Sequence, residues 1–250
     1  MFAFQGKAQQ PTENYVKTYV AREPIKGKLN ATNNVNKDKV QQSIQYVDGL
    51  GRPKQSVIRW GSPLGKDVIS PVEYDQFGRV LKQYLPYVSS LATNTENITG
   101  NYRSSAIVDQ NQFYDDHFPD VTNAGDYDFS RQALEASPLS RVLKQAAPGE
   151  AWKIDGDHTV DFDYRPNTSD DKVKILTVSN DVIQIGLNYA AGELWMTETR
   201  DENEGDSEGV TREFMDKRGR VVLKEVKEST TNDLKTYYIY DDFNRLRYVV

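Results

Sequence analysis

Two segments rich in acidic residues have the residue types of a metal site. The segment 201–209 spaces its oxygen ligands almost as a calcium-binding loop does, but it lacks the bidentate Glu of the twelfth loop position. The segment 155–163 places four aspartates around His158, and mixed oxygen and imidazole ligands suit several metals. Charge runs are usually solvated, and alternating aspartates on a strand form a polar face. We therefore predict no metal and no cofactor, with a carboxylate–histidine site as the alternative at 155–163.

Other catalytic residue types form no recognisable pattern. The chain has no cysteine, which excludes disulfides and thiolate chemistry. It has neither a Gly-x-Ser-x-Gly turn nor a glycine-rich loop that opens a helix to hold phosphate. We predict no catalytic residues and no enzyme activity, and a hydrolase that uses clustered carboxylates is the third-ranked alternative.

Aromatic residues offer a different chemistry, because a sugar ring can stack on an aromatic face. Trp60, Trp152 and Trp195 are the candidates for such a platform, in a chain that also has 15 tyrosines. Core or edge packing is the more frequent fate of aromatic residues in sheet proteins. A cell-surface carbohydrate-binding or adhesion module, with glycans as partners, is therefore the second function that we consider.

The strongest pattern is an aspartate four residues before an arginine, with Gly or Asn just before the arginine. It occurs at 48–52, 75–79, 216–220 and 241–245, and 137–141 fits the same register with serine in place of Asp and Gly. Five such units in 250 residues predict a repeat protein. The predicted motif residues are Tyr46, Asp48, Gly51, Arg52, Tyr74, Asp75, Phe77, Gly78, Arg79, Ser137, Arg141, Asp216, Gly219, Arg220, Tyr240, Asp241, Phe243 and Arg245.

Each unit has the chemistry of a β-hairpin. The flanks are rich in β-branched and aromatic residues, which predicts strands. The Asp side chain can accept from backbone N–H groups two residues on, and Gly or Asn can take the positive φ that closes a short loop. Arg begins the return strand, where its guanidinium can form a forked pair with the Asp carboxylate. We further expect the Tyr and the Phe or Leu of each unit to stack one hairpin on the next.

These Tyr-Asp-x-x-Gly-Arg units resemble the YD repeats of RHS proteins. Further stretches resemble the domain that precedes the repeat array in large bacterial RHS proteins, so the resemblance covers roughly residues 40–250. Those stretches are 46–53, 84–87, 135–143, 147–152 and 240–246. Ser140 and Asn244 stand where the repeat usually has Gly, and Met215 stands where it usually has Tyr, which leaves the individual turn types open.

The resemblance implies a non-catalytic structural segment of a large RHS protein. Such a segment would form or plug one end of a β-sheet shell that encloses a C-terminal toxin or effector. The partners that it implies are the remainder of the same chain and the enclosed cargo. It also implies a secreted or cell-surface parent protein, of which this chain is a fragment, and we expect the fragment to be monomeric.

Composition agrees with thin sheets and excludes several partners. Hydrophobic residues make up 37% of the chain, which suits sheets with one wet face better than a thick core. The formal net charge of −6 argues against nucleic acid, because phosphate binding needs a positive field. No apolar run approaches the length of about 20 residues that a membrane span needs.

The predicted fold class is mainly β, with antiparallel sheets built from these hairpins and little helix. We expect a disordered leader at 1–14 and an RHS-associated β domain at 15–250. Within that domain, two lobes at about 15–87 and 132–250 would be joined by an irregular insertion at 88–131, with short helical turns. Residues 137–147 have both the register of a repeat hairpin and the apolar spacing of a helix, and the hairpin is favoured.

Overall fold

The computed structural model describes residues 2–4, 13–24, 38–89, 100–121, 123–205, 208–227 and 233–250. The chain divides into two compact units. The first comprises Met1–Arg131 and Ala147–Glu150, and the second comprises Gln132–Ala146 and Ala151–Val250.

The described elements are mostly strands. They are β1 (Phe2–Phe4), β2 (Asn14–Ala21), β3 (Val40–Val47), β4 (Pro53–Arg59), β5 (Val68–Pro71), β6 (Lys82–Tyr84), β7 (Tyr87–Val88), α1 (Ala106–His117), β8 (Phe129–Leu134), β9 (Val142–Ala146), β10 (Thr159–Pro166), β11 (Lys174–Ser179), β12 (Val182–Asn188), β13 (Trp195–Gly205), β14 (Glu208–Met215), β15 (Val221–Lys227), β16 (Asp233–Tyr240) and β17 (Leu246–Val249). Short 3-10 turns lie at Ala124–Tyr127, Glu150–Trp152 and Ser169–Asp171.

The first unit is built on an antiparallel sheet in the order β1-β2-β3-β4-β5-β7. Alternate residues of β3 are buried, because successive side chains of a strand point to opposite faces. The core behind this face contains Ile44, Tyr46, Val57, Ile69 and Tyr87. One face of the sheet therefore faces a core, as the composition predicts.

Helix α1 packs against this core through Ala106, while Gln110 is also fully buried. The helix ends at His117, where the Phe118 N–H bonds back to the Tyr114 carbonyl, and Pro119 follows. The irregular insertion predicted at 88–131 thus contains a regular helix of 12 residues. The helix was hard to predict because Gln110 occupies an inward position where an apolar residue would have revealed the period.

The main sheet of the second unit has the order β17-β16-β15-β14-β13-β10-β9-β8, with antiparallel neighbours. Its core contains Val173, Leu194, Met196, Phe214, Val222 and Leu223. β11 and β12 form a separate two-stranded hairpin, whose turn residues Asn180 and Asp181 have positive φ. Two such residues in succession suit a tight hairpin between right-twisted strands.

The predicted fold class is confirmed, since most of the described elements are antiparallel strands. Residues 137–147 form a hairpin turn and β9 rather than a helix. The described residues 100–131, together with Ala147–Glu150, belong to the first unit, and the division into two lobes at about 15–87 and 132–250 stays a prediction. In contrast to the predicted leader, Phe2–Phe4 pair with β2; residues 1 and 5–12 lie outside the described residues.

Candidate functional site: the Asp–Arg turns

The turn at Asp75–Arg79 shows how one carboxylate organises the loop. The N–H of Asp75 donates to the Arg79 carbonyl (2.9 Å), which closes the turn. The predicted hairpin is not formed here, because β5 and β6 pair with other strands and a single bridge joins Val72 to Gln83. The backbone N–H groups of Phe77 and Arg79 donate to Asp75 Oδ1 (2.9 and 2.8 Å), and Arg79 Nε donates to Asp75 Oδ2 (2.8 Å). Gly78, at φ +77°, reverses the chain in a conformation that favours glycine.

The other three Asp–Arg turns repeat this arrangement. The distance from Arg Nε to Asp Oδ2 is 2.7 Å at Asp48–Arg52, 2.7 Å at Asp216–Arg220 and 2.9 Å at Asp241–Arg245. The residue before each arginine has positive φ: Gly51, Gly219 and Asn244. The spacing of Asp and Arg therefore corresponds to one local geometry in both units.

The hydrogen bonds keep these carboxylates ionised. The Arg79 backbone N–H, helped by the guanidinium, lowers the pKa of Asp75, and equivalent donors lower the pKa values of Asp48 and Asp241. At Asp216, burial is the largest single cause and raises the pKa, but the hydrogen bonds from Arg220 and Arg218 together with the Arg220 charge outweigh it, so the pKa is lowered. At neutral pH these groups are fixed acceptors of hydrogen bonds.

The fifth turn reaches a similar geometry with different residues. Ser137 Oγ accepts from the Leu139 N–H (3.1 Å) as an Asp oxygen would, and Ser140 takes the positive φ. The carboxylate that holds Arg141 comes from Glu135, whose Oε2 accepts from Arg141 Nη2 at 2.7 Å. Arg141, with Ser137, holds the pKa of Glu135 at about 2.

Each of three arginines also covers an aromatic ring from further along the chain. Arg52 lies 4.6 Å from the centre of the Tyr74 ring, and Arg220 lies 4.9 Å from that of Tyr240. Arg141 lies 4.5 Å from the centre of the Tyr164 ring. A guanidinium over an aromatic face is attracted by the ring quadrupole. These contacts join each turn to a later segment of the chain, which is a strand for Tyr164 and Tyr240 and a loop for Tyr74.

The tyrosine hydroxyls add a second link of the same kind. Tyr240 donates to the carbonyl of Val221, and Tyr164 donates to the carbonyl of Val142. In both cases the acceptor directly follows the arginine that covers the ring. Tyr46 behaves differently, since it is fully buried and its hydroxyl donates to the Gly100 carbonyl (2.6 Å).

The apolar residue two positions before each arginine does not stack hairpins together, which corrects our expectation. Leu50, Phe77, Leu139 and Phe243 lie at the turn tips, and between 72% and 81% of each is exposed. Phe77 and Phe243 instead lie beside the arginine of their own turn. The Asx-type loop points this position outward, so only the Tyr side of the expected stacking is present.

Glu135 and Tyr164 were missing from the predicted motif residues. An aromatic residue follows each of Arg52, Arg141 and Arg220 by 20 to 23 positions, and this spacing could have identified Tyr164. Glu135 breaks the spacing of four residues, so the register alone could not have revealed it.

The three tryptophans have separate surroundings. Trp60 belongs to the first unit and lies under Arg59. In the second unit, Trp152 contacts His158, and Trp195 lies 5.5 Å from Arg141. None of the ring contacts among the described residues joins two tryptophans. A sugar platform at these residues stays a prediction.

The metal sites considered at the two acidic segments, 155–163 and 201–209, find little support among the described residues. No group of three or more His, Asp or Glu side chains within them is arranged to hold a metal ion. His158 Nδ1 lies 3.0 Å from the Glu202 carbonyl, and Asp161 pairs with Lys144. Asp206 lies outside the described residues. Within the same residues, no helix has the length and apolar character to cross a bilayer.

Antiparallel sheets in which the Asp–Arg turn recurs define a mainly β protein. The family described as a domain of unknown function (DUF6443) matches residues 17–166. The match covers more than half of the chain, and the chain belongs to this family. It includes the turns at 48–52, 75–79 and 135–141 and ends before the last two.

A solved structure has a similar fold. The structure titled "Crystal Structure of TcdB2-TccC3-TEV" matches with a TM-score of 0.51 and 14% sequence identity. The match covers 96% of this chain and 10% of that chain, so this chain spans about a tenth of its length. No curated protein shows significant similarity.

Proposed function

We propose that this chain is a non-catalytic structural segment of a large RHS/YD-repeat protein. In that role its hairpins form or plug one end of a β-sheet shell around a C-terminal toxin or effector, and the parent protein is secreted or lies at the cell surface. The observation that carries the proposal is the recurrence of one turn geometry, joined to the next strand by an arginine over a tyrosine. A turn and contact that recur along a chain add one hairpin after another to a sheet.

The chemistry of the repeated carboxylates favours a structural role over a catalytic one. A general acid or base works best with a pKa near the operating pH, whereas the pKa values of these carboxyls are lowered by bonds within the turn. The same pair recurs in four turns, but an active site needs a single constellation. The Asp–Arg pairs therefore stabilise the turns between strands and do not act on a substrate.

The second unit presents a surface to which another hairpin can add. The side chain of Arg220, which covers Tyr240, is 22% exposed, whereas that of Arg245 is 67% exposed. Arg245 holds the same bonds to its own aspartate. An aromatic ring from a further hairpin of the parent chain would cover it as Tyr240 covers Arg220.

Both comparisons are consistent with an RHS-related protein. The fold of this chain recurs as about a tenth of a much longer chain, which supports a role as one segment of a large assembly. The enclosed cargo and the location of the parent protein are the parts of the proposal that need experiment.

The first test is the size of the native protein. An antibody raised against this chain should detect a band far above 28.5 kDa in the envelope or secreted fraction of the source cells. A band at 28.5 kDa would contradict the proposal and favour a free-standing binding module.

The second test addresses the shell. Limited proteolysis of the intact parent protein should leave its C-terminal segment protected, and Asp216→Ala with Arg220→Ala should increase its cleavage. Asp242→Ala, a change at an exposed residue within the last turn whose side chain is not part of the Asp–Arg pair, is the control and should leave protection unchanged. Equal cleavage of the C-terminal segment in folded and denatured parent protein would show that nothing encloses it.

A further inference from the structure

The carboxyl group of Asp128 is buried without a hydrogen-bond partner. Asp128 is 2% exposed, and neither of its carboxyl oxygens bonds to any residue that the structure describes. Its backbone carbonyl, in contrast, accepts from the Leu85 N–H (2.9 Å) and from Gln110 Nε2 (3.2 Å). An ionised carboxylate without donors is very unfavourable in such a place.

The neighbouring polar atoms on α1 are acceptors too. Gln110 is fully buried, and its Oε1 has no partner among the described residues, while its Nε2 reaches the carbonyls of Leu85 and Asp128. Asn111 Oδ1, on the next residue of the helix, is likewise buried and unsatisfied. Oxygens of this kind are missing a donor, and a protonated carboxyl supplies one O–H.

The charged groups around Asp128 do not supply a counterion. Asp115 on α1 and Asp126 on the 3-10 turn add negative potential, and Lys82 on β6 offsets it only in part. Burial raises the pKa values of the Tyr84 and Tyr114 hydroxyls, and the Asp128 charge adds to both shifts. Burial is the largest cause and outweighs the opposing effect of the Asp128 backbone N–H, so the pKa of Asp128 rises to about 7.

We propose that the carboxyl group of Asp128 acts as a pH-dependent lock: in its protonated form it holds helix α1 against the rest of the first unit. The protonated carboxyl donates to the unsatisfied amide oxygen of Gln110, and loss of the proton leaves a buried charge that loosens the helix. The lock lies apart from the Asp–Arg turns, so it is independent of the function proposed above.

The direction of the pH dependence follows from proton linkage. The folded unit holds the Asp128 proton up to about pH 7, whereas an unfolded or open aspartate loses it near pH 4. The folded state therefore binds more protons between these values, and its stability falls as pH rises through this window. The contribution is complete below about pH 4 and is gone above about pH 7.

Amide hydrogen exchange of residues 106–117 tests the lock. In the wild-type chain, protection of these amides, corrected for intrinsic exchange, should fall up to about tenfold per pH unit from pH 4.5 to 6.5 and level off above pH 7. In Asp128→Asn, whose amide is neutral and can donate, protection should be nearly independent of pH. Asp126→Asn, a change at an exposed neighbour, should keep the wild-type slope.

A titration of the wild-type chain keeps the proposal testable if Asp128→Asn does not fold. One aspartate side-chain carbon should titrate near pH 7 in carbon-13 NMR. Equal slopes in wild type and Asp128→Asn would overturn the proposal, and so would titration of every aspartate below pH 5. Restoration of α1 protection at pH 8 by added Ca²⁺, in wild type but not in Asp128→Asn, would mean that the oxygens bind a cation, which also overturns it.

Discussion

The Asp–Arg turns form two consecutive pairs, 48–52 with 75–79 and 216–220 with 241–245. In each pair the first arginine reaches the second turn, and the pairs differ in the residue just before the second arginine. In the first unit, Arg52 reaches over Tyr74 and the next turn, where a Cβ on Gly78 would lie 2.5 Å from Arg52 Nη1. In the second unit, Arg220 reaches over Tyr240, and the corresponding position is Asn244.

Asn244 turns that close approach into a hydrogen bond. Its Oδ1 accepts from Arg220 Nη1 (3.0 Å) and from Arg218 Nη1 (3.2 Å), and its φ of +62° is one that asparagine tolerates better than most residues. The comparison shows that this position must combine a left-handed backbone with room for the preceding arginine. Glycine leaves this room because it has no side chain. The asparagine side chain occupies the room and accepts hydrogen bonds from the arginines.

The largest expected effect is the loss of a turn carboxylate. Asp216→Ala removes the acceptor of two backbone N–H groups and of the Arg220 guanidinium. We expect a loss of about 2.5 kcal/mol in unfolding free energy, below the sum of three charged hydrogen bonds because water reaches part of the turn. Equilibrium urea unfolding followed by circular dichroism measures it.

Asp216→Asn separates the two roles of that carboxylate. The amide oxygen can still accept from the backbone, so Asp216→Asn should lose clearly less stability than Asp216→Ala. Asp242→Ala, which changes an exposed carboxylate within the last turn outside the Asp–Arg pair, should match the wild type. Identical unfolding curves for Asp216→Ala and the wild type would disprove the structural role of the pair.

A smaller effect distinguishes backbone strain from the contact with Arg52. Gly51→Ala and Gly78→Ala both place a side chain at a φ near +80°, at a cost of about 1 kcal/mol each. Gly78→Ala must also displace Arg52 from Tyr74, whereas a Cβ on Gly51 meets nothing within 4 Å. We therefore expect Gly78→Ala to be less stable than Gly51→Ala by about 0.5–1 kcal/mol.

Variants in an Arg52→Ala background test whether the contact with Arg52 causes this difference in stability. In the background of Arg52→Ala, the difference between Gly78→Ala and Gly51→Ala should vanish, because the arginine that the methyl group displaces is gone. Thermal unfolding of the six chains measures the coupling. A difference that persists without Arg52 would mean that the contact with Gly78 has no energetic consequence.

The local part of the turns could be predicted from the sequence, and the links between them could not. In an Asp–Arg turn all partners lie within four residues, as in Asp75 and Arg79, so spacing alone specifies them. The ring over which Arg141 lies comes from Tyr164, and that contact depends on the register between strands. Glu135 replaces an aspartate from outside the motif spacing.

The same dependence on contacts with distant residues explains why helix α1 was not predicted. α1 buries the polar Gln110, whose amide bonds to the carbonyls of Leu85 and Asp128. Hydrophobic periodicity detects buried apolar residues, so a helix that is positioned partly by hydrogen bonds to distant backbone gives little signal.

The smallest effect is expected at the position that distinguishes the two pairs. Asn244→Gly loses the bonds from Arg218 and Arg220 but relieves the left-handed backbone, so the two changes should nearly cancel, within about 0.5 kcal/mol. Asn244→Ala loses the same bonds and keeps a side chain at positive φ, so it should cost about 1 kcal/mol more than Asn244→Gly. Urea unfolding of both variants measures the difference. If Asn244→Gly were as costly as Asn244→Ala, the side-chain bonds would decide the residue here, and the first pair would need a reason other than backbone conformation for its glycine. If the two differ as expected, the left-handed backbone is the common requirement of all four turns, and the bonds to Asn244 are an addition that the second pair can lose.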